Sequence, residues 1–190
     1  MYNEVIEYLK TFGPILGIAT FLSIWLAWPA NSIIAICVQI AILNFYVYVI
    51  HRIMHLIPSH PLNYHIFSHH DKKFNLSRPL ELICETLCNL SWFAIILVVQ
   101  WICNVQVFDP ILVCYIGIVY TSVHVINLSC FDSVEHKTHH IDWNYNYGPA
   151  YFDALYGTLK VDESFNQNWD IINTVVVALG IKYAQSRYGF

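Results

Sequence analysis

Two long apolar stretches set the pattern of this chain. From Thr11 to Ile50 no side chain is charged, and from Thr86 to Phe131 the only charged side chain is Asp109. Each stretch is about twice the ~20 apolar residues that one membrane-crossing helix needs. Each is also broken near its middle by turn-formers: Trp28-Pro29-Ala30-Asn31-Ser32 in the first, Asn104 through Asp109-Pro110 in the second. The pattern predicts an all-α integral membrane fold in one domain, 1-190. Two helical hairpins (about 11-50 and about 86-131) give four transmembrane helices. A polar insert (about 51-85) separates them and a polar tail (about 132-190) follows. Within the tail, the apolar segment Ile171 to Ile181 is too short to span a bilayer and is expected to pack on the bundle or lie in the interface.

Composition agrees: of 190 residues, 57% are hydrophobic and 12% charged, far from the soluble average. Asn3, Glu4 and Glu7 precede the first apolar run, which continues into a second helix, so a cleaved signal peptide is not expected. The two tight turns carry no Lys or Arg. Lys10, Arg52, Lys72, Lys73, Arg78, Lys137, Lys160, Lys182 and Arg187 are then all expected at the opposite end, which the positive-inside rule makes cytoplasmic, with both termini. Trp25, Trp28 and Trp101 mark the other interface. The net charge of -4 forms no basic tract, which excludes a nucleic-acid partner. The six cysteines lie in or beside predicted helices and are expected as free thiols. The sequons at Asn75, Asn89 and Asn127 fall in cytoplasmic loops or at membrane depth, and none is expected to be glycosylated.

The ten histidines all lie between His51 and His140. In HRIMH, His51 and His55 share a helix face at i and i+4. Counted from Ser32 at ~1.5 Å per residue, His51 lies roughly 29 Å along its helix, at the edge of a hydrocarbon core ~30 Å thick. HIFSHH supplies His65, His69 and His70; in an α-helix His70 is turned by ~100° from His69, so one cluster can serve two centres. HKTHH supplies His136, His139 and His140. His124 falls about 21 Å into the fourth helix, and an ionisable ring at that depth signals function. His60, between Pro58 and Pro61, reads as a loop residue. One such cluster alone is no more than a solvated polar loop; three on one membrane face are expected to share a metal site. Imidazole donors suit iron, zinc or copper, not calcium or magnesium. Eight or nine ligands exceed what one tetrahedral zinc uses, so two metals are expected.

HRIMH, HIFSHH and HKTHH, followed by NYNYG and DALYGT (Asp153 to Thr158), resemble the histidine boxes and trailing signature of the fatty acid hydroxylase/sterol desaturase superfamily. The resemblance covers about residues 45 to 160. It implies a multi-pass, non-haem di-iron oxygenase of the endoplasmic reticulum that hydroxylates or desaturates a fatty acyl, sphingoid or sterol lipid. It also implies O2 as cosubstrate and electrons from cytochrome b5 or its NAD(P)H reductase. Carried over, the boxes give metal ligands at His51 and His55, at His69 and His70, and at His136, His139 and His140. His124 matches an extra histidine that many members carry. The second box departs from the family's HxxHH, which would need histidine at Ile66; here His65 stands one residue earlier. Leu56 replaces a histidine that many members have after the first box.

Metal-bound histidines need acceptors for their second N–H, and Asp132, Glu135, Asp142, Asp153 and Glu81 are the candidates by proximity. Tyr145, Asn146 and Tyr147 are expected to support the third box, and Gly148 and Gly157 to permit tight turns. The substrate's tail is expected between the helices, with its reactive carbon near His51 and His124. Phe45, Tyr46, Trp92 and Tyr120 are candidates to line that path, against ordinary helix packing for each. No nucleotide-binding glycine motif is present, so electrons are expected from a partner. Three other readings compete: a zinc-dependent membrane hydrolase or lyase, an inactive family member, and a metal transporter. The last is disfavoured by ligands gathered at one face.

Overall fold

The computed structural model describes residues 2–61, 63–74, 76–131, 133–160 and 168–189. Every regular element among them is helical. α1 (Tyr2–Ala27) and α2 (Ile33–Leu56) are joined by a short turn, and Ser32 caps α2 by accepting a hydrogen bond from the Ala35 N–H at 3.2 Å. α2 ends just before Pro58, where a following proline disfavours helical backbone. α3 (Arg78–Cys103) stops at Asn104, which takes the left-handed conformation at φ 51°. α4 (Pro110–Ser122) starts with proline in its first turn and the Asp109 carboxylate capping the Ile111 N–H at 2.7 Å. Short helices α5 (Leu128–Phe131), α6 (Val134–Ile141) and α7 (Ala150–Tyr156) follow, and then α8 (Asn168–Tyr188).

Four helical segments are long and apolar enough to cross a membrane: Ile6–Ala27, Ile33–Leu56, Arg78–Cys103 and Pro110–Phe131. Ile36, Leu43, Leu112, Val113 and Tyr115 form a fully buried core between them, while Phe21, Ile34, Val98 and Trp101 face outward. This apolar exterior is what a bilayer solvates. α3 and α4 pack tightly because Gly117 has no side chain: a Cβ there would meet Phe93 Cγ at 2.7 Å. All six cysteines are free, with Cys37, Cys103, Cys114 and Cys130 on the outer surface. Of the sequon asparagines, Asn89 and Asn127 are buried; Asn75 lies outside the described residues.

At one end of the bundle the two interhelical turns meet. The Asn31 side chain donates to the Asp109 carboxylate at 2.5 Å, and the Gln39 side-chain oxygen accepts from the Asp109 N–H at 2.6 Å. At the other end the Tyr8 hydroxyl ties α1 to the Tyr151 carbonyl of α7 at 2.7 Å.

α8 packs on the bundle as expected but is longer than its apolar segment. The apolar segment Ile171 to Ile181 is the middle of a 21-residue helix, about 31 Å long at ~1.5 Å per residue. Its first turn is held at the histidine end, where Asn127 bonds Asp170 and Asn173, each at 2.6 Å. Its far end reaches the turns, where Lys182 Nζ donates to the Trp25 carbonyl at 3.3 Å and Gln185 to the Leu26 carbonyl at 3.4 Å. Lys182, and Arg187 in the last turn, therefore lie at the turn end, and the C-terminal end of α8 is carried away from the histidines. The expectation that every basic residue and both termini share one end is corrected. The physical reason is packing: Thr174 and Ala178 are small and buried, which lets α8 lie along α1 and α4 instead of on the surface.

Candidate metal centre

The second histidine box sits on a π-helical turn, His65–His70, whose Asp71 N–H bonds the Ile66 carbonyl at 2.9 Å in the i→i+5 pattern. This wider winding accommodates the extra residue in the box. With more residues per turn than an α-helix, positions four and five apart share one face, so His65, His69 and His70 all turn inward. The shift from Ile66 to His65 would misdirect a ring in an α-helix; here His65 is buried, with its Nε2 3.0 Å from the Nε2 of both His51 and His55. A second π-helical turn, Val123–Asn127, interrupts the fourth crossing segment and carries His124 inward. Leu56, which follows His55, is 77% exposed and outside the cluster.

All nine predicted rings come together. His51, His55, His65, His70 and His139 form one group that could hold a metal ion; His69, His136 and His140 form another; His124 joins His65 and His69 between them. In the first group the Nε2 atoms of His70 and His65 are 3.2 Å apart and those of His139 and His55 3.0 Å. In the second, His69 to His136 is 3.2 Å, His136 to His140 3.1 Å and His140 to His69 2.9 Å. Four nitrogens at ~2.0–2.1 Å around one tetrahedral ion would be about 3.3 Å apart, so the spacing fits coordination. His60 lies in the 57–61 turn and joins no group.

The outer nitrogens explain why the inner ones converge. His51 Nδ1 is 2.5 Å from the Tyr147 carbonyl, His139 Nδ1 2.6 Å from the Tyr145 carbonyl, and His69 Nδ1 2.6 Å from the Glu85 carboxylate. Each acceptor holds a proton on Nδ1 and leaves the Nε2 lone pair pointing inward. Lone pairs about 3 Å apart repel, and a cation between them removes the repulsion. Burial pushes His139 and His140 down to about 4, and burial with neighbouring rings holds His65, His69 and His136 well below the ordinary histidine range. Neutral imidazole is the ligand form.

Of the carboxylates proposed from proximity, Asp153 acts one step removed. It accepts from the Tyr147 and Gly148 N–H groups at 3.0 and 2.6 Å and from the Thr158 hydroxyl at 2.7 Å, bracing the loop whose Tyr147 carbonyl holds His51. Burial raises its carboxyl to about 6 against those bonds. Gly148 and Gly157, at φ 67° and 70°, make the turns on either side. Asn146 closes the cap by pairing both its amide atoms with the Lys160 backbone at 2.8 and 2.9 Å. Glu81 instead pairs with Lys72 and Arg78, and Asp142 with Lys160; Asp132 and the Glu135 side chain lie outside the described residues. The ring acceptor is Glu85, 3% exposed, which sequence proximity missed. Its signal was its place as the last acidic residue before the long apolar run, a carboxylate at membrane depth. Trp143, 38% exposed, covers the outer side of His70, with ring centroids 5.0 Å apart.

A cavity of about 150 Å³ opens beside His51, His124 and His136, between α1, α2, α4, α8 and the 146–153 loop. Tyr120 lines it as expected. Tyr46 and Trp92 pack elsewhere, the Tyr46 hydroxyl donating to the Trp92 carbonyl at 2.9 Å, and Phe45 packs on Phe152. No family model, curated protein or solved structure matches the chain, so the chemistry of the site stands on this geometry alone.

Proposed function

We propose that the chain is an O2-dependent non-haem di-iron hydroxylase or desaturase acting on a C–H bond of a membrane lipid. The observation that carries this reading is the convergence of nine imidazoles inside a membrane-type bundle, three of which, His51, His124 and His136, reach the wall of an apolar cavity. The five-ring group, His51, His55, His65, His70 and His139, would hold one iron. His69, His136 and His140, with His124 beside them, would hold the second. Iron bound there would supply the reduction of O2 and the oxidant for the C–H bond. Hydroxylation consumes the C–H substrate, O2, two electrons and two protons, and yields the alcohol and one water. Desaturation takes two hydrogens from adjacent carbons with the same inputs and yields the alkene and two waters.

The chain's own residues orient and exclude. The Tyr145 and Tyr147 carbonyls and Glu85 fix the ring tautomers, Asp153 braces the loop, and the apolar walls keep bulk water from the reacting carbon. In this reading α1–α2 and α3–α4 are two membrane hairpins in the endoplasmic reticulum, with the turns on the lumenal side. The histidine end faces the cytoplasm with Lys10, Arg52, Lys72, Lys73, Arg78, Lys137 and Lys160. Electrons come from cytochrome b5 or its NAD(P)H reductase.

The test is lipid mass spectrometry of yeast expressing the parent chain or His139→Ala, with metal analysis of the purified protein. A lipid one oxygen heavier or two hydrogens lighter, made only by the parent and only with oxygen, together with two irons per chain, supports the proposal. A product that forms under nitrogen, with zinc bound, replaces it. That second reading, a zinc-dependent hydrolase or lyase, has its own observation: His69, His136 and His140 form a three-histidine group of the kind that holds a catalytic zinc with an open fourth position.

A further inference from the structure

We infer that the substrate enters the cavity as a slender hydrocarbon chain, not as a fused-ring sterol nucleus, and that Ala19 and Tyr115 set how far the chain reaches past the reacting carbon. The inference rests on the reading of the site as a lipid oxidant and narrows its substrate class.

Size comes first. A cavity of about 150 Å³ matches an engineered apolar cavity of ~150 Å³ that takes up benzene, which corresponds to roughly six carbons. A flexible chain can insert its last few carbons into such a space, whereas a rigid four-ring nucleus cannot enter in part.

Shape agrees with size. The lining runs from His51 down α2 to Asn44, seven residues, or about 10 Å, and from His124 down α4 to Tyr115, nine residues, or about 13 Å. The cavity is therefore elongated along the bundle axis. At its inner end stands Tyr115, fully buried and hydrogen-bonded to the Thr174 carbonyl at 3.4 Å, with fully buried Leu112 one turn further along α4.

The chemistry of the inner end selects the end of the substrate that goes in. The two polar side chains there are turned onto backbone carbonyls, Tyr115 onto Thr174 and Asn44 onto Ile40 at 2.9 Å. The inner wall thus suits an apolar chain terminus, while the polar head remains toward the 146–153 loop. Ala19 contributes only a methyl group from α1 to this wall, so its size limits the depth directly.

The experiment measures saturable binding of radiolabelled palmitate and of radiolabelled cholesterol to the full chain in nanodiscs, with metal content as the check on folding. Palmitate should bind and cholesterol should not. Ala19→Phe should weaken palmitate binding by about tenfold or more with metal content unchanged, the scale expected when a pocket loses a few methylenes of room. Saturable cholesterol binding, or palmitate binding indifferent to Ala19→Phe, overturns the inference. If Ala19→Phe loses its metal, Val119→Ala decides: widening the cavity should move the preferred saturated fatty acid to a longer chain, and an unmoved preference overturns it. The two proposals fail separately. An oxygen-dependent sterol product keeps the di-iron reading and sinks the chain pocket. Ala19-sensitive palmitate binding by a zinc protein that consumes no oxygen does the reverse.

Discussion

The two ends of the bundle handle buried polar groups differently. At the turn end Asn31 and the Gln39 oxygen close on Asp109, and the Gln100 oxygen accepts from the Val107 and Phe108 N–H groups at 2.8 and 2.6 Å, with Gln185 Oε1 left unsatisfied. At the histidine end the Nε2 atoms face one another, and His55 Nδ1, His70 Nδ1, Glu85 Oε2 and the Tyr120 hydroxyl are buried without a hydrogen-bond partner. Native interiors leave few such groups, and each calls for an explanation. One end is chiefly a structural joint; the other gathers ring nitrogens that could hold a cation.

Removing a ring should break this comparison most severely. His139→Ala deletes a fully buried donor of the five-ring group; in the proposed reading, where the metal carries the chemistry, loss of bound metal and at least about a thousandfold fall in turnover are expected by metal analysis and product formation. Metal retained at full occupancy would contradict the grouping.

Acid should act next. In the unfolded chain histidine titrates at about 6.5, whereas His139 and His140 are lowered to about 4 by burial. Between those values the unfolded chain binds more protons, so stability rises with pH and is lost as pH falls from about 6.5 toward 4. Metal release should follow the same window. Full retention at about pH 4 would refute it.

Glu85→Gln keeps the shape but weakens the acceptor for His69, and a 10–100-fold loss of metal affinity is expected, read by chelator competition. At the turn end Asp109→Ala removes the α4 cap and the Asn31 partner. It should cost about 1–3 kcal/mol in thermal unfolding with metal content unchanged, which separates the joint from the site. The smallest effect belongs to Glu81→Gln, whose partners Lys72 and Arg78 are exposed; a stability change within about 0.5 kcal/mol and unaltered metal binding are expected.

The four apolar helices and the nine rings were legible because hydropathy and side-chain type carry them directly. The orientation of His65 was not, since the ~100° step assumes α-helical winding and nothing in HIFSHH announces an i→i+5 turn. Glu85 was hidden by sequence distance: it reaches His69 across the fold from the start of α3, whereas the nearer Glu81 is neutralised by Lys72 and Arg78. The length of α8 was masked by Asn173, Thr174, Gly180 and Lys182, which dilute its apolar signal while Thr174 provides part of its contact with the bundle.

That long last helix has a practical consequence. The start of α1 lies at the histidine end of the bundle and the end of α8 at the turn end. A fluorescent or affinity tag on the N-terminal side would share the space of the histidine cap, and one on the C-terminal side would not. Only the first position could tether a redox protein within reach of the cap.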